Sequence, residues 1–324
     1  MKKEVVVPSP TDKNGIVKLF NKVFDWGNDS VFDWKFNRPD RLGNFFMVGK
    51  YNAQVVAFYG GYFQKIKIKN RELKCIIIGD SSSSIDKRSE LLFLRTSKEC
   101  IRSLVDVMKV PFGYGISSPR ATELGIKSLG LRKLERYFQL SKYLFEERIS
   151  CENQNYKVEE IAFSDPEIAT VWKKCQSEMK FGIVRDSDYL CWRYRDNPIN
   201  SYTLLKVSGN KGPEAILVLS LRELFVKNDS TIDGIIMDLI IPYGNSDKIF
   251  QIFSVVESFL LALGVCRIKI ALPSYSTTFK ALRYRANYTP QVRRQSIVFA
   301  SPDSEINEEE LGTFFYTFGD WDVY

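Results

Sequence analysis

Apolar positions along the chain alternate with polar ones over short stretches and recur every third or fourth place over longer ones, in a fixed order. An opening helix is expected over Asp12 to Asp25. A strand ("FFMVGK"), a short polar turn ("YNAQ") and a second strand ("VVAFYGGYFQ") follow, the pattern of an antiparallel hairpin. The apolar run "CIIIGD" ends at Asp80, a helix is expected over Ser89 to Met108, and "FGYGISSP" reads as a strand running to Pro119. A short helix and a terminal strand within "ERYFQLSKYLF" complete the series.

The series is then written a second time. A helix over Ser164 to Met179 is announced by "SDPE", where Ser164 or Asp165 suits the N-cap and Pro166 the first turn. Strands "YTLLKV" and "AILVLSLREL" flank the turn "SGNKGPE", "GIIMD" ends at Asp238, a helix covers Asp247 to Leu263, and "RIKIALP" leads to Pro273 before the terminal strand in "QVRRQSIVFA". Two landmarks share one offset: Trp34 and Trp192 lie 158 positions apart (192 − 34), as do Asp80 and Asp238 (238 − 80). Each tryptophan sits in an aromatic and basic block, "DWKFNRP" and "CWRYRDNP". Helix, strands, helix, strand, helix, strand, with an antiparallel beginning, predicts an α/β fold of mixed sheets rather than a doubly wound one. The expected organisation is two similar domains related by internal duplication, residues 1–150 and 151–324, meeting near residues 146–157, with a C-terminal extension over about 309–324.

A length of 324 residues agrees with two cores of ordinary size, and 44% hydrophobic with 26% charged residues describes a folded chain throughout. The start, "MKKEVVVPSPTDK", is too short in apolar residues for a secretion signal, and Gln251 and Glu257 interrupt the most apolar helix, so no membrane span is expected. The chain has no histidine, and its six cysteines form no C-x-x-C pair. That excludes the usual zinc sites, the Ser-His-Asp triad and the Cys-His dyad; no metal is expected, and reduced thiols fit a cytoplasmic protein. A formal charge of +7 favours an anionic partner without choosing among nucleotide, CoA, RNA and lipid.

Several stretches carry the candidate chemistry. "GDSSSSIDKRSELLFLRTSKE" (Gly79 to Glu99) resembles the strand, loop and helix of the GNAT acyltransferase fold, and "FGYGISSPRATELGIKSLGLRKL" (Phe112 to Leu134) resembles its next strand, helix and helix-ending glycine, here Gly130. The tryptophan blocks and the ending "FFYTFGDWDVY" resemble tandem GNAT proteins associated with assembly of bacterial surface polysaccharides. The resemblance covers nearly the whole chain and implies transfer of an acyl group from acetyl-CoA or another acyl-CoA to an amine. It places the CoA pyrophosphate on the loop of Ser81, Ser82, Ser83 and Ser84 with Lys87, Arg88 and Ser89. Pyrophosphate binding calls for converging N–H groups at a helix start; here Ser89, Glu90 and Leu91 follow Arg88 where the family's turn has glycines, so serine hydroxyls would stand in for them.

Amine acylation needs a proton acceptor, and a donor for the departing thiolate. Asp80 and Asp238, each ending an apolar strand, are the candidate bases; Tyr114 is a further candidate. The tyrosine acid of many relatives falls on Ile126 in the first half, while Tyr284 lies near the corresponding place in the second and Tyr275 just after the strand. Trp34 and Trp192 could stack on a sugar or base, or plug the core beside each sheet with the neighbouring base turned to solvent. Asp320 and Asp322, spaced by two around Trp321, would face one way from an extended segment and bind sugar hydroxyls or an ammonium group.

The leading expectation is therefore an N-acyltransferase acting on a small amino-sugar acceptor, nucleotide-linked in one version, with no nucleic-acid partner. Oligomeric state stays open, a monomer containing its own pseudo-dimer being compatible with two fused halves. Two competing readings are a non-catalytic GNAT-like scaffold and an aminoacyl-tRNA-dependent aminoacyltransferase.

Overall fold

A computed structural model describes residues 2–24, 28–38, 42–84, 87–110, 112–134, 137–145, 155–226, 229–242, 244–300 and 306–320. In the first half the elements run β1 (Lys3–Val6), α1 (Lys13–Phe24), α2 (Asp29–Phe36), β2 (Asn44–Tyr51), β3 (Gln54–Ile68), β4 (Arg71–Ile78), β5 (Ser82–Ser83), α3 (Lys87–Arg102), β6 (Gly113–Ser117), α4 (Pro119–Leu129), β7 (Arg132–Lys133) and β8 (Phe138–Tyr143). The second half follows with β9 (Tyr156–Ile161), α5 (Glu167–Glu178), β10 (Phe181–Ile183), α6 (Ser187–Leu190), β11 (Thr203–Gly209), β12 (Gly212–Val226), β13 (Asp229–Ile240), α7 (Ser246–Ala262), β14 (Val265–Ala271), α8 (Thr277–Tyr284), β15 (Thr289–Val292), β16 (Ser296–Ala300), α9 (Glu308–Leu311) and β17 (Phe314–Phe315). Caps set several boundaries. Ser118 accepts from the Ala121 N–H with Pro119 in the first turn of α4, Gly130 ends that helix at φ +67°, and Asn245 and Ser276 cap α7 and α8.

Alternation along the strands divides the apolar side chains between two faces. Phe58 of β3 joins Ile16, Phe20, Phe32 and Phe36 under α1 and α2, whereas Tyr59 and Phe63 meet Cys100 and Leu104 on the α3 side. Both sheets are mixed, as the order of elements predicts. In the first, β1, β2, β3 and β4 are antiparallel neighbours and β4 lies parallel to β6. In the second, β9, β11, β12 and β13 repeat the antiparallel series and β13 lies parallel to β14.

The sheets do not follow the order of the chain. β16, from the end of the second half, runs between β6 and β7 of the first sheet, and β8, from the end of the first half, runs between β14 and β15 of the second. Each half thus completes the other's sheet with its terminal strand. β10 and β17 also join the first sheet, β10 antiparallel to the end of β3 and β17 parallel to β10. Each sheet consequently holds strands from both sides of the cut between 150 and 151.

The tryptophan blocks meet where the halves meet. The Trp34 indole N–H donates to the Trp192 carbonyl (2.7 Å) and the Trp192 indole N–H donates to the Trp34 carbonyl (2.9 Å). Their rings stack with centroids 5.6 Å apart, and the Arg38 guanidinium lies 3.5 Å over the Trp192 ring. Both indoles are buried in the seam, engaged by face and by N–H, and neither lines the cleft described next. The indoles thus pack against each other in the seam, and the neighbouring bases Lys35 and Arg193 are buried as well, against the expectation that they turn to solvent.

Candidate active site

The parallel pair β4 and β6 is in register at only Ile76 with Gly113 and Ile77 with Tyr114. Gly115 passes so close to β4 that a Cβ there would sit 2.5 Å from the Ile78 carbonyl oxygen, which only glycine tolerates. Past that point the ends of the two strands form the walls of a cleft of about 610 Å³. Its lining is mainly apolar: Tyr59, Phe93, Ile116, Leu124 and Leu131, with Val298 from the exchanged strand β16. Polar groups are few and concentrated at Asp80, Ser81, Ser117, Ser118 and Asp320. An apolar cavity with a small convergent set of polar groups is the usual form of a small-molecule site.

Asp80 stands where β4 ends, with φ +53°, a backbone region costly for a residue with a Cβ. Its carboxylate meets the Lys35 ammonium at 2.7 Å, and the two side chains are 5% and 0% exposed. Lys35, the base of the first tryptophan block, therefore turns inward, against the expectation that it faces solvent. The helix α2 positions it: with Trp34 in the seam and Phe36 in the α1 side of the core, Lys35 is carried toward the sheet end. Burial of both charges is tolerable because each is the other's partner.

The second carboxylate comes from the other half. After β17 the chain makes a short 3-10 turn over Phe318–Asp320, and Asp320 reaches the floor of the cleft with its side chain 1% exposed. The Arg185 guanidinium holds it: one nitrogen pairs with Asp320 while Nε donates to Asp238 at 2.5 Å. Thr317 joins the same group, its N–H donating to Asp320 (2.8 Å) and its hydroxyl lying 3.0 Å from Asp238. Tyr194 donates to Asp238 at 2.9 Å, and the Tyr114 hydroxyl lies 3.4 Å from Asp320. Burial raises the Asp320 pKa and Asp238 adds to the rise, while Arg185 opposes it. Burial also pushes the Tyr114 hydroxyl well above its ordinary value, so it remains a proton donor.

The two repeated aspartates thus have different surroundings. Asp238 follows an irregularity in the β12 and β13 register between Val218 and Leu219, is 1% exposed, and is absorbed in the Arg185 group. Asp80 lines the cleft but is tied to Lys35. Asp320 lies on the cleft floor, yet not in the extended segment that its spacing with Asp322 suggested, because Phe318–Asp320 is a turn. Trp321 and Asp322 lie outside the described residues. Tyr114 is buried behind the cleft wall, in contact with Asp320. Tyr284 is 68% exposed at the end of α8, outside the cleft lining, so the structure does not bring it to the other candidates. Tyr275 donates to the Thr313 carbonyl.

On the expected cofactor loop, Ser81 lines the cleft, and the hydroxyls of Ser81 and Ser82 are buried without a hydrogen-bond partner. Ser83 pairs with Ala57 and Ser84 donates its N–H to Val56 at 2.9 Å, so the loop is pinned to β3. Lys87, Arg88 and Ser89 open α3, their side chains lying outside the described residues. An orphan hydroxyl at the edge of an apolar slot fits the amide-bearing, otherwise aliphatic arm of a CoA thioester, because it supplies a partner that the protein itself lacks. Among the described residues no cluster of three His, Cys, Asp or Glu side chains is placed to hold a metal ion. No helix among them is long and apolar enough to cross a membrane.

Arg185 was the functional-looking residue that the reading of motifs passed over. Its signal was an arginine closing the apolar run Phe181 to Val184, a position where a buried cation must find carboxylates.

No family model and no curated protein matches the sequence. Solved structures do. A GCN5-related N-acetyltransferase from Anabaena variabilis superposes with a TM-score of 0.69 at 10% identity, over 93% of this chain and 73% of that one. One from Kribbella flavida gives 0.66 at 12% identity, over 94% and 72%. The Saccharomyces cerevisiae N-myristoyltransferase, solved with bound myristoyl-CoA and inhibitors, gives 0.56 at 9% identity, over 92% and 79%. At such identities the likeness is one of architecture, and it extends over nearly the whole chain: the fold is that of the GCN5-related N-acetyltransferases.

Proposed function

We propose that the protein is an N-acyltransferase that takes an acyl group from acyl-CoA in the cleft between β4 and β6 and passes it to an amine. The observation that carries this reading is the cleft itself. Two parallel strands pair at two positions, Gly115 passes close against Ile78, and the strand ends line an apolar slot that also carries the buried carboxylates Asp80 and Asp320. Ser81, whose buried hydroxyl has no partner and which lines the cleft, is the group that would meet an amide of the pantetheine arm, and the start of α3 is where the pyrophosphate would lie. The first half serves as the cofactor half. In the second, Asp238, the counterpart of Asp80, is enclosed by Arg185, Tyr194 and Thr317.

The acceptor is an amino sugar of surface-polysaccharide biosynthesis in a cytoplasmic setting; this finer assignment is supported by the resemblance of the tryptophan blocks and the C-terminal ending. Acetyl-CoA is the simplest donor. Calorimetric titration with CoA, acetyl-CoA and longer acyl-CoAs tests the reading, together with Ala121→Trp, which fills the cleft from the exposed side of α4. Micromolar affinity that the variant loses is expected. A folded wild type that gives no heat with any of these ligands at several temperatures would overturn the reading in favour of a non-catalytic scaffold.

A further inference from the structure

We infer that Asp320 is the group that accepts the proton from the acceptor amine, so that the active site is completed across the halves by the C-terminal segment. This inference rests on the acyltransferase reading above and goes beyond it in naming the base and what positions it. Three observations lead to it. Among the described residues two carboxylates line the cleft and both meet a cation: Asp80 pairs with the Lys35 ammonium at 2.7 Å, whereas Asp320 shares one guanidinium, that of Arg185, with Asp238. Asp238 is absent from the lining, and three donors, from Arg185, Tyr194 and Thr317, surround it. Asp320 combines a place on the cleft floor with a frame that fixes it from behind: the guanidinium of Arg185, the N–H of Thr317 and the hydroxyl of Tyr114.

The frame also determines the charge. The groups that face Asp320 are Arg185 from the loop after β10, Asp238 from β13, Tyr114 from β6, Cys75 from β4, Tyr189 from α6 and Tyr137 at the start of β8. Burial raises all three tyrosines and the thiol far above neutrality, so they stay uncharged. Among the described residues one guanidinium pairs with both Asp238 and Asp320, while Arg193 donates its Nε to the Gly319 carbonyl. An alkylammonium in the cleft adds positive charge beside Asp320. Asp320 takes one proton from R–NH3+ and the freed amine forms a C–N bond with the thioester carbonyl carbon. As the C–S bond breaks, the thiolate leaves with the second amine proton as a thiol, and Asp320 returns its proton to water. The sum is R–NH3+ plus thioester to amide, thiol and H+. Asp238 and Tyr114 are positioning residues in this scheme, because they act through Arg185 and Asp320.

The test compares wild type, Asp320→Asn and Asp320→Glu. Acyl-CoA binding is read by calorimetry, thiol release with a panel of primary amines (amino sugars, a polyamine and a lysine peptide) as a function of pH, and folding by thermal unfolding. Asp320→Asn should bind acyl-CoA as wild type does and lose about 100-fold or more in kcat, the scale of a lost general base. The wild-type fall in kcat toward acid pH should vanish, and Asp320→Glu should restore it in part. Should the Asn variant misfold, the decision passes to the folded Glu variant, whose acid limb must move from its wild-type position; an unmoved limb overturns the assignment. An Asn variant with full kcat and an unchanged acid limb would overturn it too, leaving acyl transfer intact, as would a wild type that binds acyl-CoA but releases thiol with no amine. A wild type that binds no acyl-CoA would instead remove the reading on which the assignment rests.

Discussion

Trp34 and Trp192 exchange hydrogen bonds, each indole N–H donating to the other's main-chain carbonyl. Residues at one offset in a repeated sequence meet face to face in this way when an approximate twofold passes between them, and the stacked rings 5.6 Å apart show where it passes. The pair therefore measures how firmly the halves are joined. Trp34→Phe and Trp192→Phe each leave a buried carbonyl without its donor, at a cost of about 1–3 kcal/mol. Urea unfolding of the two single variants and the double variant should show coupling of roughly 0.5–3 kcal/mol, because the residues touch. Strict additivity would contradict a shared contact.

Strand exchange makes a second prediction. Residues 1–150 expressed alone would lack β16, which separates β6 from β7 in the first sheet. They would also leave β8 without β14 and β15. Such a fragment is expected to show no cooperative unfolding and to recover native-like near-ultraviolet circular dichroism only when mixed with residues 151–324. A folded, monomeric fragment would argue against the exchange.

Much of this was legible along the chain and some of it was not, for definite reasons. The hairpins β2 with β3 and β11 with β12 announced themselves through alternation and short turns, and Gly130 ends α4 in the left-handed conformation that glycine allows. The exchange of β8 and β16 was hidden because "FQLSKY" and "SIVFA" carry the same alternation as any strand of a mixed sheet. Periodicity specifies that a segment is a strand, not which sheet receives it. The site was divided in the same way. Asp80 and Asp238 stood out as polar ends of apolar runs, but their dependence on Lys35 and Arg185 is a contact between distant segments.

Arg185 offers a third prediction. Its removal leaves Asp238 and Asp320 buried with one cation fewer, so Arg185→Met should lose about 3–5 kcal/mol, the cost of breaking a buried charge pair from one side. The Asp320 pKa, already raised by burial, would then lose the guanidinium that opposes the rise and lie further above its unfolded value. A raised carboxyl contributes stability that is present at acid pH and lost as pH rises through the folded value. Chemical unfolding should accordingly find the variant less impaired at pH 5 than at pH 7; equal losses would contradict the account.

Asp233 should behave in the opposite sense. Burial acts to raise its pKa, but Arg267, at 2.8 and 2.7 Å, and Lys269 outweigh that and lower it. A carboxyl depressed on folding adds stability above its unfolded value, and that stability disappears as pH falls through the folded one. Asp233→Asn is expected to cost about 1.5–3 kcal/mol at pH 7, the range for hydrogen bonds to charged groups, and much less near pH 2. Urea midpoints of the two proteins across that interval provide the measurement, and parallel curves would count against the pairing.

The C-terminal turn is the most demanding case, because Gly319 has almost no room. A Cβ there would lie 2.0 Å from the Tyr194 hydroxyl and 2.7 Å from the Asp238 carboxylate, and the Gly319 carbonyl accepts from Arg193 Nε at 3.1 Å. Gly319→Ala must therefore shift the segment that carries Asp320, while Trp34, Trp192 and both exchanged strands keep their contacts. The expected result is a folded protein, destabilised by about 1–3 kcal/mol as for an overpacked core. Acyl-CoA affinity should change little, since the walls formed by β4 and β6 are untouched, whereas kcat should fall as it does for Asp320→Asn. Unchanged kcat with a displaced turn, seen in the tyrosine and tryptophan near-ultraviolet signals, would separate the turn from the chemistry.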